Sequence, residues 1–218
     1  MRRSGAPDTA PRIVKQPAPR LTVHPLTPDR FTALEDLFGD QGPVSRCWCM
    51  YCRIGSAYRR RRSDENRAAF RDVVRKGPPP GLLAYQGERA VGWCQLTPRD
   101  AVPWLDRGQR LKRVDELPVW SLSCLYVRKD YRRRGVTAAL IAAAVDAARR
   151  AGAPALEAYP LDPELTPSAS STGFVSTFLR AGFEVVARHL PARPIVRYDL
   201  RGRIRRRGGR HRGPAAPG

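Results

Sequence analysis

The chain has 218 residues, 42% of them hydrophobic, and a formal net charge of +20, of which +4 falls on residues 1–20, +9 on residues 21–200 and +7 on residues 201–218. That length and apolar content suffice for one good core, so a single domain is expected, with a basic surface that attracts polyanions in a salt-dependent way. No apolar run approaches the roughly 20 residues needed to span a bilayer, and the basic start MRRSGAPDTAPR leads into no apolar h-region, so the chain reads as cytoplasmic, with no signal peptide and no membrane partner.

Residues 1–20, with four prolines and little apolar content, read as a disordered lead. A strand at Leu21–His24 is followed by Thr27-Pro28-Asp29, a cap and then a proline at a helix start. Phe31, Leu34, Leu37 and Phe38 share one helical face, which Gly39 closes. The loop over residues 40–57 holds the run Cys47-Trp48-Cys49-Met50-Tyr51-Cys52. Its C-x-C-x-x-C spacing suits zinc, but no fourth ligand stands nearby and no metal is expected. Five cysteines in a chain without a signal also argue against a disulfide framework. Cys94 and Cys124 lie in strand-like runs and read as small buried hydrophobes.

Ser63 caps a helix that runs to about Lys76 and is closed by Gly77 and three prolines. Strands at Leu82–Gln86 and Ala90–Thr97 flank the turn Gly87-Glu88-Arg89. Residues 98–117 are polar and irregular, an insertion of lid length. There follow a strand at Leu122–Val127, a helix from Gly135, a strand at Ala155–Tyr159, a loop, a helix near Ser171–Ala181, and strands at Glu184–His189 and Ile195–Leu200. The order gives an α/β (or α+β) domain over residues 21–200, with a central mixed, mostly antiparallel sheet flanked by about four helices. Residues 201–218 read as a disordered Arg-rich tail. Its RGRIRRRGGRHRG run is similar to nucleic-acid-binding arms but lacks interleaved aromatics, so nucleic acid is the lesser expectation for it.

The stretch Trp120–Ala151 says most about chemistry. A strand, an Arg-rich turn with a glycine and a helix N-terminus together build an anion pocket, because the first helical amides have no intrahelical partner and the macrodipole adds about half a positive charge there. Arg132, Gly135 and Thr137 carry an R-x-x-G-x-small pattern within it. With its strand-to-helix context, this segment resembles the acetyl-CoA signature of the GNAT N-acetyltransferases, although the family has Gly or Ala where Thr137 stands. The Cys47–Cys52 run is similar to the CWCM-type segment of a bacterial subgroup of that family.

The resemblance implies a GNAT fold across roughly residues 20–200 and acetyl-CoA as co-substrate. The pyrophosphate would lie on Arg132, Arg133, Arg134, Gly135, Val136, Thr137 and Ala138, and the pantetheine arm beside the backbone of Leu125, Tyr126 and Val127. Trp48, Met50 and Tyr51 would line the acceptor site, or pack as core. The family's glutamate base falls on Ser121, which takes no proton at neutral pH. Ser121 and Ser123 could instead hold a water wire. Asp115, Glu116, Glu157 and Asp162 are the carboxylate candidates, with Glu157 the one placed within a strand. The family's tyrosine acid falls on Phe178, which leaves Ser176, Thr177, Tyr159 or water. The activity implied is acetyl transfer to a primary amine, first that of a small molecule and next a protein lysine or N-terminus, by a monomer or homodimer. The competing expectation is a degenerate acyl-CoA-binding sensor whose basic tail meets nucleic acid.

Overall fold

The structure, a computed structural model, describes residues 20–39, 46–165 and 171–201. The lead over residues 1–20 and the tail over residues 201–218 therefore fall outside the described residues, apart from Arg20 and Arg201. Seven strands and five helices follow in the order β1 (Leu21–Pro25), α1 (Phe31–Phe38), α2 (Tyr51–Ile54), α3 (Ser63–Lys76), β2 (Gly81–Gln86), β3 (Arg89–Pro98), β4 (Trp120–Val127), α4 (Val136–Arg150), β5 (Ala155–Ala158), α5 (Val175–Arg180), β6 (Glu184–Leu190) and β7 (Arg193–Asp199). The helix beyond the expected four is α2, a single turn that carries no periodicity a sequence could show. Among the described residues no helix is long and apolar enough to cross a membrane.

The strands form one sheet in the order β1-β2-β3-β4-β5-β7-β6. Every neighbouring pair is antiparallel except β4–β5. A parallel pair needs a crossover, and α4 supplies it. Both faces of the sheet are covered, which is why β2 reads as an apolar run instead of an alternation. Leu82 and Ala84 pack with Leu140, Ile141, Ala144 and Phe178 on one face, while Leu83 packs with Leu34, Phe70 and Trp93 on the other. Burial of each large apolar side chain of this kind contributes about 1.5–3 kcal/mol.

Two local devices set the approach of elements that matter later. A Cβ on Gly92 would stand 2.6 Å from Val136, so this glycine lets the first turn of α4 close onto β3. The start of α3 differs from the expectation: Ser63 is the first helical residue and its hydroxyl accepts the Trp48 indole N–H at 2.9 Å. The cap is made by Glu65, whose carboxylate accepts the Arg62 N–H at 2.7 Å.

Candidate active site

β4 and β5 pair only from Trp120–Leu122 to Leu156–Ala158. The sequence explains the early end, because Pro160 follows two residues later and a proline has no N–H for a ladder. The second half of β4 is therefore paired with β3 alone, and a bulge at Ser123 bends it between the Gln95–Cys124 and Leu96–Leu122 pairs. The Arg128 amide donates to the Val91 carbonyl, which fixes the alternation. Tyr126 spends its backbone groups on Trp93, whereas Leu125 and Val127 turn theirs to the open edge. Of the three residues expected to offer backbone to a ligand, Tyr126 thus does not. Leu125 does, but its N–H already donates to the Ser171 carbonyl at 2.6 Å.

The turn after β4 carries Arg133 at φ 60° and Gly135 at φ 82°, both left-handed. Gly135 caps α4, and a Cβ on it would meet nothing within 4 Å. The amides of Arg133 through Ala138 have no backbone acceptor among the described residues. Successive unpaired N–H groups at a helix start form an anion-binding concavity. The arginines divide: Arg132 Nε reaches back to the Val127 carbonyl at 3.5 Å, and Arg134 stacks on the Tyr131 ring at 5.6 Å. Arg133 is exposed and has neither contact.

Beside the open half of β4 lies a cavity of about 660 Å³, walled by the cysteine segment, by residues 104–111, by β4 and by Ser171 and Thr172. Tyr51 lines it. Trp48 and Met50 do not: Trp48 is 1% exposed and packs edge-on to Phe38 at 5.4 Å, and Met50 joins the same core. Left-handed backbone at Arg46, Trp48 and Cys49 turns the chain so that Cys47, Cys49 and Cys52 face the cavity in their place. Cys124 of β4 joins them there, half-buried on the lining and not a core residue as its strand position implied.

Burial favours the protonated form of the three thiols in the cysteine segment. Burial pushes Cys47 up to about 11 and Cys52 up to about 12, and raises Cys49 as well. The Cys47 sulfur accepts the Tyr51 N–H at 3.3 Å, and the Cys49 sulfur accepts the Trp93 indole N–H at 3.0 Å. Among the described residues no group of three or more potential ligands is arranged for a metal ion.

Behind the cavity runs a chain of buried charge. Arg99, 2% exposed, donates to Glu157 Oε2 and to the Tyr159 hydroxyl at 2.8 Å each, to Asp106 at 2.7 Å, and to the Leu111 carbonyl. Arg197 donates to Glu157 Oε1 at 2.7 Å and to Asp115 at 2.6 Å. Glu157 is thus held by a guanidinium on each oxygen and is absent from the cavity lining, so it serves the ion-pair chain and not a proton-taking role. Ser121 is sealed beside it, its hydroxyl donating to the Tyr159 hydroxyl at 3.2 Å, while Ser123 donates to Gln95 at 3.0 Å. The two serines share no bond, and only Ser123 reaches the cavity. Tyr159 does line it, with its proton directed to Glu157 at 3.3 Å and its pKa raised by burial. Phe178 is fully buried against Phe183 at 5.2 Å. Arg99, Arg193 and Cys124 had no sequence signal as site residues. Only the fold brings them to the cavity and its rear wall.

The family model described as the acetyltransferase (GNAT) family matches residues 45–168. No curated protein matches the chain. Among solved structures, the loading GNATL domain of CurA from Lyngbya majuscula has a TM-score of 0.50 at 14% identity, over 83% of this chain and 98% of that one. The PaiA N-acetyltransferase of Thermoplasma acidophilum, in complex with coenzyme A, has a TM-score of 0.49 at 13% identity, over 83% and 99%. The ribosomal-protein-S18-alanine N-acetyltransferase of Escherichia coli has 0.47 at 11%, over 83% and 94%.

Proposed function

The chain belongs to the GNAT acetyltransferase family, and on that premise we propose that it transfers the acetyl group of acetyl-CoA to the primary amine of a small molecule by direct attack in a ternary complex. The observation that carries this is the position of the cavity, which adjoins the open half of β4. Its volume of about 660 Å³ lies within the range of small-molecule sites, roughly 300–1,000 Å³.

The residues fit the co-substrate. The unpaired amides of Arg133 through Ala138 suit a pyrophosphate, and the space before Gly135 is open. The edge groups of Leu125 and Val127 suit an extended amide-bearing arm, once Ser171 releases Leu125. Bound there, acetyl-CoA supplies a thioester whose C–S bond breaks as the C–N bond to the amine forms, giving the N-acetyl product and free thiol. The chain's own work is to hold and orient both partners. With Ser121 sealed and Phe178 in the core, neither position handles a proton. The attacking amine gives up its proton to solvent, and a thiolate with a conjugate-acid pKa near 8.5–9 takes one from solvent unaided.

The test is thiol release from acetyl-CoA by the full chain, with and without a panel of small amines, beside a Gly135→Glu variant. The expected result is amine-dependent release that the variant loses, since a carboxylate at this cap both fills the anion pocket and requires φ of 82° from a non-glycine residue. Tight acetyl-CoA binding without turnover on any amine would instead support the binding-only reading, which the burial of Ser121 and Phe178 favours.

A further inference from the structure

Arg59, Arg107, Arg110 and Arg193 line the cavity, and among the described residues no Asp or Glu does. Three carboxylates on the segments that form its walls are already engaged: Asp106 with Arg99 and Arg113, Glu157 with Arg99 and Arg197, Asp162 with Arg188. Among the described residues none of the four lining guanidiniums has an anionic partner. Most arginines buried elsewhere in the fold are treated differently. Arg99 and Arg197 each carry two carboxylates.

Arg193 is the half-buried member of the set. Its Nη1 donates to the Tyr159 carbonyl and to Thr172 Oγ1, each at 3.0 Å, and these two bonds fix the plane of the guanidinium. Its Nε and Nη2 hydrogens meet no acceptor among the described residues. Burial disfavours this charge, and Arg110 adds like-charge repulsion to it. A cation held at that cost, oriented and with donors to spare, is complementary to a carboxylate, which a guanidinium binds through two parallel hydrogen bonds. Tyr51, Tyr58 and Trp104 give the same cavity apolar walls.

We propose that the acceptor is an amine that also carries a carboxylate, of the amino-acid type, with the carboxylate held by Arg193 and Arg110. The inference rests on the transferase reading above for the ligand's role as acceptor. An ammonium alone would be repelled by this lining. The same positive field lowers the proton affinity of the substrate's amine, so the neutral form that attacks is favoured without a carboxylate base. Ser121 and Phe178 then need no substitute: the field favours both the neutral amine and the departing thiolate.

The decisive experiment is calorimetric binding of N-acetyl-L-phenylalanine, N-acetyl-L-leucine and N-acetyl-L-serine to the full chain, each beside its carboxamide. At least one acid should bind about 10- to 100-fold more tightly than its amide, the worth of a charge-assisted pair. The gap should close in Arg193→Gln and in Arg110→Gln, survive in part in Arg193→Lys, and remain whole in Arg149→Gln on the far end of α4. Acids and amides that bind alike, or that all fail to bind, overturn the proposal. The free amino acids and amino amides, offered with acetyl-CoA, read the transferase separately. Acids that bind but are never acetylated leave the carboxylate site standing and remove the transferase. Amides acetylated as readily as acids do the reverse.

Discussion

Arg99 is a full charge buried at the end of β3, and its partners decide what its loss would do. Replacement by Met leaves Asp106 with Arg113 alone and takes one of the two guanidiniums from buried Glu157, which keeps Arg197. Breaking a buried pair by removing one member costs about 3–5 kcal/mol, and urea unfolding of Arg99→Met should show a loss of that order. Arg99→Lys should recover only a fraction, because one ammonium cannot reach acceptors spread across a planar fork. The cavity thiols make a second prediction, for pH. Their folded pKa values, about 11 for Cys47 and about 12 for Cys52, stand above the ordinary 9.0. Raised values mean that their contribution is whole below pH 9 and is lost as pH climbs through 9 toward 11–12. Each thiol that ionises only on unfolding adds a fall of about 1.4 kcal/mol per pH unit. Melting temperature followed against pH should drop over that window, and less steeply in Cys52→Ala. At this scale the sequence was legible where a residue's role is a backbone one, as at Gly135. It was silent where burial decides the role. Trp48, Met50 and Tyr51 look equivalent as a string, and only the left-handed residues among them determine which side chain reaches the cavity.

The elements themselves were largely readable, because apolar periodicity and Gly/Pro punctuation are local signals. The helix expected from Gly135 begins at Val136, and the strands expected at Ala90–Thr97 and Glu184–His189 are a residue or two longer. The insertion over residues 98–117 was readable only as irregular. In the structure two 3₁₀ turns, Arg99–Ala101 and Pro103–Asp106, pin it down through Val102 and Leu105. Nothing local in the sequence shows that pinning, since the partners are long-range: Cys52, Tyr159 and Ile195. It packs against the end of α2, where a Cβ on Gly55 would stand 2.1 Å from the Trp104 ring. Gly55 also has φ of 63°. Gly55→Ala should therefore cost about 1–2 kcal/mol for the left-handed residue and about 1–3 more for the overpacking. Thermal melts read the stability. Ligand binding at the cavity should weaken with it, because Trp104, Leu105 and Arg107 form that wall.

For the molecule as a whole, one event organises the site: the sheet parts between β4 and β5, and the gap collects what the rest of the chain delivers. The amides of α4 lie beyond the end of the parted β4, and the cysteine segment and the half-buried Arg193 line the cavity beside it. A family resemblance in the sequence pointed to the first two, but the third is set by β7, nearly sixty residues beyond Gly135. The parting also leaves an edge amide that the chain has filled for itself, since Leu125 N–H donates to the Ser171 carbonyl. A ligand that takes Leu125 exchanges one partner for another and gains little there, while at Val127, whose N–H has no acceptor among the described residues, it gains a bond outright. The two neighbours should therefore behave oppositely in amide hydrogen exchange. Leu125 is slow before and after acetyl-CoA is added, guarded first by its own chain and then by the guest. Val127 is fast alone and slow in the complex. Equal slowing at both positions would mean that Ser171 does not hold the edge in solution. The vacated Ser171 neighbours Thr172, which orients Arg193. A co-substrate that displaces Ser171 should therefore also shift Arg193 through Thr172, changing what the cavity can grip.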